Sequence, residues 1–96
     1  MPNYQIYAKT DQNPDEVGIQ IATVLADATF NPEHVNMNTW LDTFNNNRAN
    51  ILKRFTSYGH CLTLRTHCTH TTVKKLRKIP TIKSMNFQLI MESENV

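Results

Sequence analysis

The residues with most to offer chemically lie between positions 48 and 91. Lys74, Lys75, Arg77 and Lys78 crowd into one to two helical turns, and Lys83 follows closely. Arg48, Lys53 and Arg54 come earlier, with Arg65 in between. These are nine cations in 44 residues that contain no Asp or Glu. Phosphates repeat every few ångströms along a nucleic acid, so a protein that binds them needs several cations on one surface, and its affinity falls steeply with salt. A solvated helix face explains a single Lys-Lys or Arg-Lys pair equally well. The lack of any acid across the whole stretch tips the balance toward nucleic acid.

His60, Cys61, His67, Cys68 and His70 also lie close together, and zinc favours such donors. Their spacing gives neither a C-x2-C nor an H-x3–5-H pair, so no metal and no cofactor are expected. On one extended strand the two cysteines would stand about 23 Å apart, against the roughly 4.4–6.8 Å a disulfide needs. Free thiols of a reducing compartment are the expectation. A Cys–His nucleophile would lack an orienting carboxylate nearby, and two glycines rule out the usual phosphate-cradling loops. A metal-independent ribonuclease using His60, His67 or His70 as general acid and base is a third-ranked alternative. The chain is expected not to be an enzyme.

These side chains need elements to hold them. Tyr4–Lys9 alternates as a strand, with Tyr4, Ile6 and Ala8 on one face and Gln5, Tyr7 and Lys9 on the other. Asn13 can cap a helix that begins with Pro14, Asp15 and Glu16 and runs to about residue 29. A turn or short helix is expected from Asn31-Pro32-Glu33. A second long helix is expected from Thr39 on, with Leu41, Phe44, Ile51, Leu52 and Phe55 as its apolar face and Gly59 as its stop. His60–Thr69 reads as a strand with Leu62, Leu64, Thr66 and Cys68 inward. Thr71 or Thr72 then caps a short helix from Val73 to Ile79, ended by Pro80. Met85, Phe87, Leu89 and Met91 alternate along a last strand.

The order β-α-α-β-α-β predicts one α+β domain over residues 1–96: a small three-stranded sheet covered on one face by helices. Tyr7, Lys9, Thr63, Arg65, His67, Asn86 and Gln88 then point away from the core. Rings stack on unpaired bases, while amides, hydroxyls and Arg reach base edges or sugars. This platform resembles in principle that of RNA-recognition sheets, without the aromatic consensus of the RNA-recognition motif. An ordinary polar sheet face is the plainer reading.

Net charge is only +2 because the halves oppose each other. Residues 1–47 carry Lys9 against Asp11, Asp15, Glu16, Asp27, Glu33 and Asp42, and the tail carries Glu92 and Glu94. Helix-dipole placement accounts for the acids of the first helix. Head-to-tail self-association into a homo-oligomer, acidic face to basic face, is the functional alternative. No apolar run reaches the roughly 20 residues that span a bilayer, and the N-terminus lacks the regions of a signal peptide. No membrane and a cytoplasmic location are expected.

The Asn-rich runs Asn36-Met37-Asn38 and Asn45-Asn46-Asn47, the short length and the lysine-rich helix give the chain the general character of a small accessory protein. In this it resembles those of T-even-type bacteriophages. Several of these inhibit host defences, including toxin–antitoxin systems. The resemblance implies such an inhibitor and assigns no residue a role.

The leading expectation is an RNA-binding, or more broadly nucleic-acid-binding, protein. Lys74, Lys75, Arg77 and Lys78 meet phosphates, Arg48, Lys53, Arg54 and Lys83 extend the track, and Arg65, His67 and Tyr7 touch sugar or bases. The alternative is an inhibitor that docks its basic face on an acidic host protein.

Overall fold

The structure is a computed structural model that describes residues 2–30, 33, 36 and 38–91. Asn31 and Pro32, where a turn is expected, and the acidic tail lie outside the described residues.

Strand β1 (Asn3–Lys9) leads to helix α1 (Pro14–Thr29), helix α2 (Trp40–Leu52), strands β2 (Thr56–Tyr58) and β3 (Cys61–His67), helix α3 (His70–Arg77) and strand β4 (Ser84–Leu89). The class is α+β as expected, but the sheet has four strands, in the order β2-β3-β1-β4. Every pairing is antiparallel. Without α2, the order of elements and strands is that of the split βαβ, or ferredoxin-like, arrangement.

The extra strand is a correction to the three expected from the sequence. The second helix stops at Leu52 rather than near Gly59, and Thr56-Ser57-Tyr58 is a strand instead of its last turn. Gly59 does mark a stop, but of a strand: its φ of +60° makes a two-residue hairpin turn with His60. No non-glycine residue among those described has a positive φ, so glycine leads the turn, as in type II′ hairpins.

Local chemistry explains the helix starts. The Asn13 side chain accepts a hydrogen bond from the Asp15 N–H at 2.9 Å, and Pro14 opens α1. For α3 the capping residue is Thr69, whose hydroxyl accepts from the Thr72 N–H at 3.2 Å. The cap therefore lies earlier than the expected Thr71 or Thr72. Thr72 instead turns inward and is buried.

Strand alternation sends Ile6 and Ala8 of β1 and Leu62 and Leu64 of β3 to one face of the sheet. There they meet Val17, Ile21, Ala22 and Leu25 of α1, Ile51 of α2, and Val73 and Leu76 of α3. Helix α1 packs against both α2 and α3. Gly18 of α1 faces Leu52 of α2 with room for a methyl: a Cβ there would lie 3.9 Å from Leu52 Cδ2. On β4, Met85 and Phe87 pack against the core, but Leu89 is 53% exposed and Met91 80%. The expected inner stripe thus fades at the end of β4 and beyond it. No described helix is long and apolar enough to cross a membrane.

Candidate nucleic-acid interface

All the described helices lie on one face, so among the described residues the other face of the sheet is open. Antiparallel partners place their side chains on the same side, and the pairing builds that face in rows. Arg65 of β3, Gln5 of β1 and Gln88 of β4 form one row. Thr56, Thr63, Tyr7 and Asn86 form the next. Tyr58, Cys61, Lys9 and Ser84 form the last. Neighbouring strands stand roughly 4.8 Å apart, and same-face residues about 6.6 Å apart along a strand, which is on the scale of successive nucleotides.

Tyr7 lies on a central strand and is 38% exposed. Its flanking partners are small or polar, Thr63 and Asn86, which leaves the outer side of the ring accessible. Lys9 and Arg65 are exposed in adjoining rows. No carboxylate stands in any row. Tyr58, 71% exposed, adds a second ring at the β2 edge. Sequence reasoning missed Tyr58 because it placed the residue in a helix. The available signal was a Thr-x-Tyr alternation running straight into a glycine, which reads as a hairpin.

The expected cation track is not one surface. Arg65 and Tyr7 stand on the open face, whereas Lys74, Lys75 and Lys78 are exposed at α3, in the layer that covers the opposite face. Part of this cluster has a structural reason, since cations suit the C-terminal end of a helix. Arg77 is committed to the fold. Its guanidinium carbon sits 4.9 Å from the Phe87 ring centroid, and Nη1 donates to the Met85 carbonyl at 3.4 Å. It thereby ties α3 to the β4 edge by a cation–π contact.

Arg48 lies 5.9 Å from the Phe44 ring and donates to Asn45 Oδ1. Lys53 and Arg54 come just after the end of α2. With α1 packed between α2 and α3, these three cations and the α3 lysines occupy separate flanks of the helical layer. Arg54 and His67 do come together, lining a cleft of about 400 Å³ at the end of β3 with Asn47, Asn50 and Thr29. Lys83 forms an ion pair with Asp11 at 3.8 Å. Both side chains are well exposed, so the pair contributes little to stability.

His60 precedes β3 and His67 ends it, roughly 23 Å apart along an extended chain, and so they do not share a site. The described residues hold no group of three or more metal-ligating side chains. Both cysteines are free. Burial pushes the Cys68 thiol pKa above its usual value.

Fold and site together define a small α+β domain with one helical face and one open, acid-free sheet face. Comparison of the chain with protein-family models, with curated proteins and with solved structures finds no match.

Proposed function

We propose that this chain is a non-enzymatic domain that binds single-stranded nucleic acid, RNA foremost, on its open sheet face. One observation carries the reading: the uncovered face of a four-stranded sheet presents Tyr7 at its centre, Lys9 and Arg65 beside it, amides at Gln5, Asn86 and Gln88, and no carboxylate. A polar face kept only for solubility would serve as well with Glu and Asp among its residues. Tyr7 stacks a base, Arg65 and Lys9 meet phosphates, and the amides reach base edges or a 2′-hydroxyl, the group that separates RNA from DNA. Lys74, Lys75, Lys78, Arg48, Lys53 and Arg54 add a field that aids encounter only at low salt, where screening is weak.

Binding to a labelled eight-nucleotide strand and to a duplex of equal length tests this. The single strand is expected to bind more tightly, because a duplex cannot splay its bases onto Tyr7. Equal affinity for both, or no binding at 50 mM salt, overturns the proposal.

A second reading, an inhibitor that docks on a host protein in the manner of phage counter-defence proteins, is favoured by the exposure of Trp40 and Leu41 on α2. It requires a stoichiometric complex that nuclease leaves intact.

A further inference from the structure

At the Lys9 end of the open face lies an open cleft of about 580 Å³. Lys9, Lys83, His60, Tyr58, Ser84 and Asp11 line it. Its frame is well held. The Thr10 hydroxyl, 2% exposed, donates to the Thr81 carbonyl at 2.6 Å and accepts from the Gln12 N–H at 2.9 Å. The Thr10 N–H donates to the His60 carbonyl at 3.1 Å, and the Lys83 N–H donates to the Lys9 carbonyl at 2.7 Å. The side chains of Lys9, Lys83 and His60 take part in none of these bonds. Lys83 meets Asp11 only in the long, exposed pair at 3.8 Å, which a ligand of higher charge can displace. The three side chains can therefore turn to a ligand while their backbones are fixed.

We propose that this cleft receives a phosphate monoester, namely the terminal phosphate of the nucleic acid whose bases lie on the sheet. The inference rests on the function proposed above. Two ammonium groups against the single Asp11 carboxylate, with an imidazole beside them, suit a dianion better than the single charge of an internal diester, since Coulomb attraction scales with ligand charge. Hydroxyls of Tyr58 and Ser84 supply further donors. The acids at the cleft and past it favour a strand end over a continuing strand. Past Lys9 the polypeptide carries Asp11, then Asp15 and Glu16 in the first turn of α1. A strand running on in that direction would bring its next phosphate toward carboxylates.

The test uses the full chain and three RNAs of one eight-nucleotide sequence: 5′-phosphorylated, 3′-phosphorylated, and hydroxyl-ended at both termini. One phosphorylated form is expected to bind about tenfold more tightly than the hydroxyl-ended form, equivalent to about 1.4 kcal/mol. Lys83→Ala and His60→Ala should each shrink that ratio while leaving the hydroxyl-ended affinity within about twofold. Both substitutions spare the backbone bonds that frame the cleft, so folding is not at issue. Equal binding of all three RNAs, or a preference that survives both substitutions, overturns the inference and leaves the sheet-face reading standing. Failure of all three to bind overturns the function itself. In that event, amide shifts at Lys9, His60 and Lys83 on adding a free mononucleotide would still support a monoester site, and their absence would reject it.

Discussion

Replacing Tyr7 by alanine separates the two surfaces on which the cations lie. Stacking of a base on an aromatic side chain is worth about 1–3 kcal/mol by alanine substitution. Tyr7 is 38% exposed, so part of its ring is already covered, and the lower half of that range applies. A loss of about 1–2 kcal/mol is a 5- to 30-fold drop in affinity. The salt dependence gives a second number. Each phosphate contact on a single strand contributes about −0.7 to the slope of log K against log salt. Lys9 and Arg65 lie on the face, which gives a slope of about −1.4 for a hydroxyl-ended strand.

Reversing Lys74, Lys75 and Lys78 to Glu should leave that slope nearly unchanged and weaken binding less than about threefold at physiological salt. Packed layers stand roughly 10 Å apart, already beyond the Debye length of about 8 Å. Arg77 is left in place because it holds α3 to β4. Fluorescence anisotropy over 50–300 mM salt measures both quantities, with a thermal melt of each variant as the control for folding. If Tyr7→Ala binds normally while the triple reversal abolishes binding, the sheet face is not the site and the reasoning fails.

Packing and burial lead to two more expected outcomes. Gly18→Ala should stabilise the protein by about 0.5–1 kcal/mol, because a helix-interior glycine costs that much and the new methyl would meet Leu52 at an ordinary 3.9 Å; a lower melting temperature would mean that α1 and α2 tolerate no more bulk. A thiol reagent should modify half-buried Cys61 readily, and Cys68, 3% exposed, only on unfolding. Because burial raises the Cys68 pKa, the folded chain keeps a proton that the unfolded chain releases. Its contribution is therefore complete below the ordinary thiol pKa of about 8.5 and is lost as pH rises past it. Comparing melts of the wild type and Cys68→Ala between pH 8 and 10 checks the sign, and a wild type that gains stability over that range relative to the variant refutes it.

Local signals carried much of the fold. Asn13-Pro14-Asp15-Glu16 marks the start of α1 because capping, a missing donor and the helix dipole all act within one turn. The alternation of Tyr4, Ile6 and Ala8 against Gln5, Tyr7 and Lys9 survives intact in β1. What failed was the non-local part. Thr56-Ser57-Tyr58 is too short to show a period, and its strand character comes from pairing with Cys61–Thr63 across the hairpin. The open face was legible in Tyr7, Thr63, Arg65, Asn86 and Gln88. Grouping it with the α3 lysines was not justified, because charge counted along a chain says nothing about which side of a sheet each charge reaches.

That separation changes the energetics expected of the interface. A chain with nine cations and no acid over residues 48–91 suggests binding dominated by counterion release. Yet the open face draws one of its two lysine or arginine side chains, Lys9, from the acidic half of the sequence, and the other, Arg65, from the basic half. Of the described acids, Asp15, Glu16, Asp27 and Asp42 sit on α1 and α2, in the layer that covers the other side, while Asp11 follows the end of β1 in the cleft with Lys83. Charge asymmetry along the chain has thus become an asymmetry between layers, and it works by keeping carboxylates off the sheet rather than by loading it with cations. Affinity on such a face has to come mainly from stacking on Tyr7 and from hydrogen bonds by Gln5, Asn86 and Gln88, which salt screens weakly. A nucleic-acid complex of this protein should therefore tolerate salt better than its basic stretch suggests.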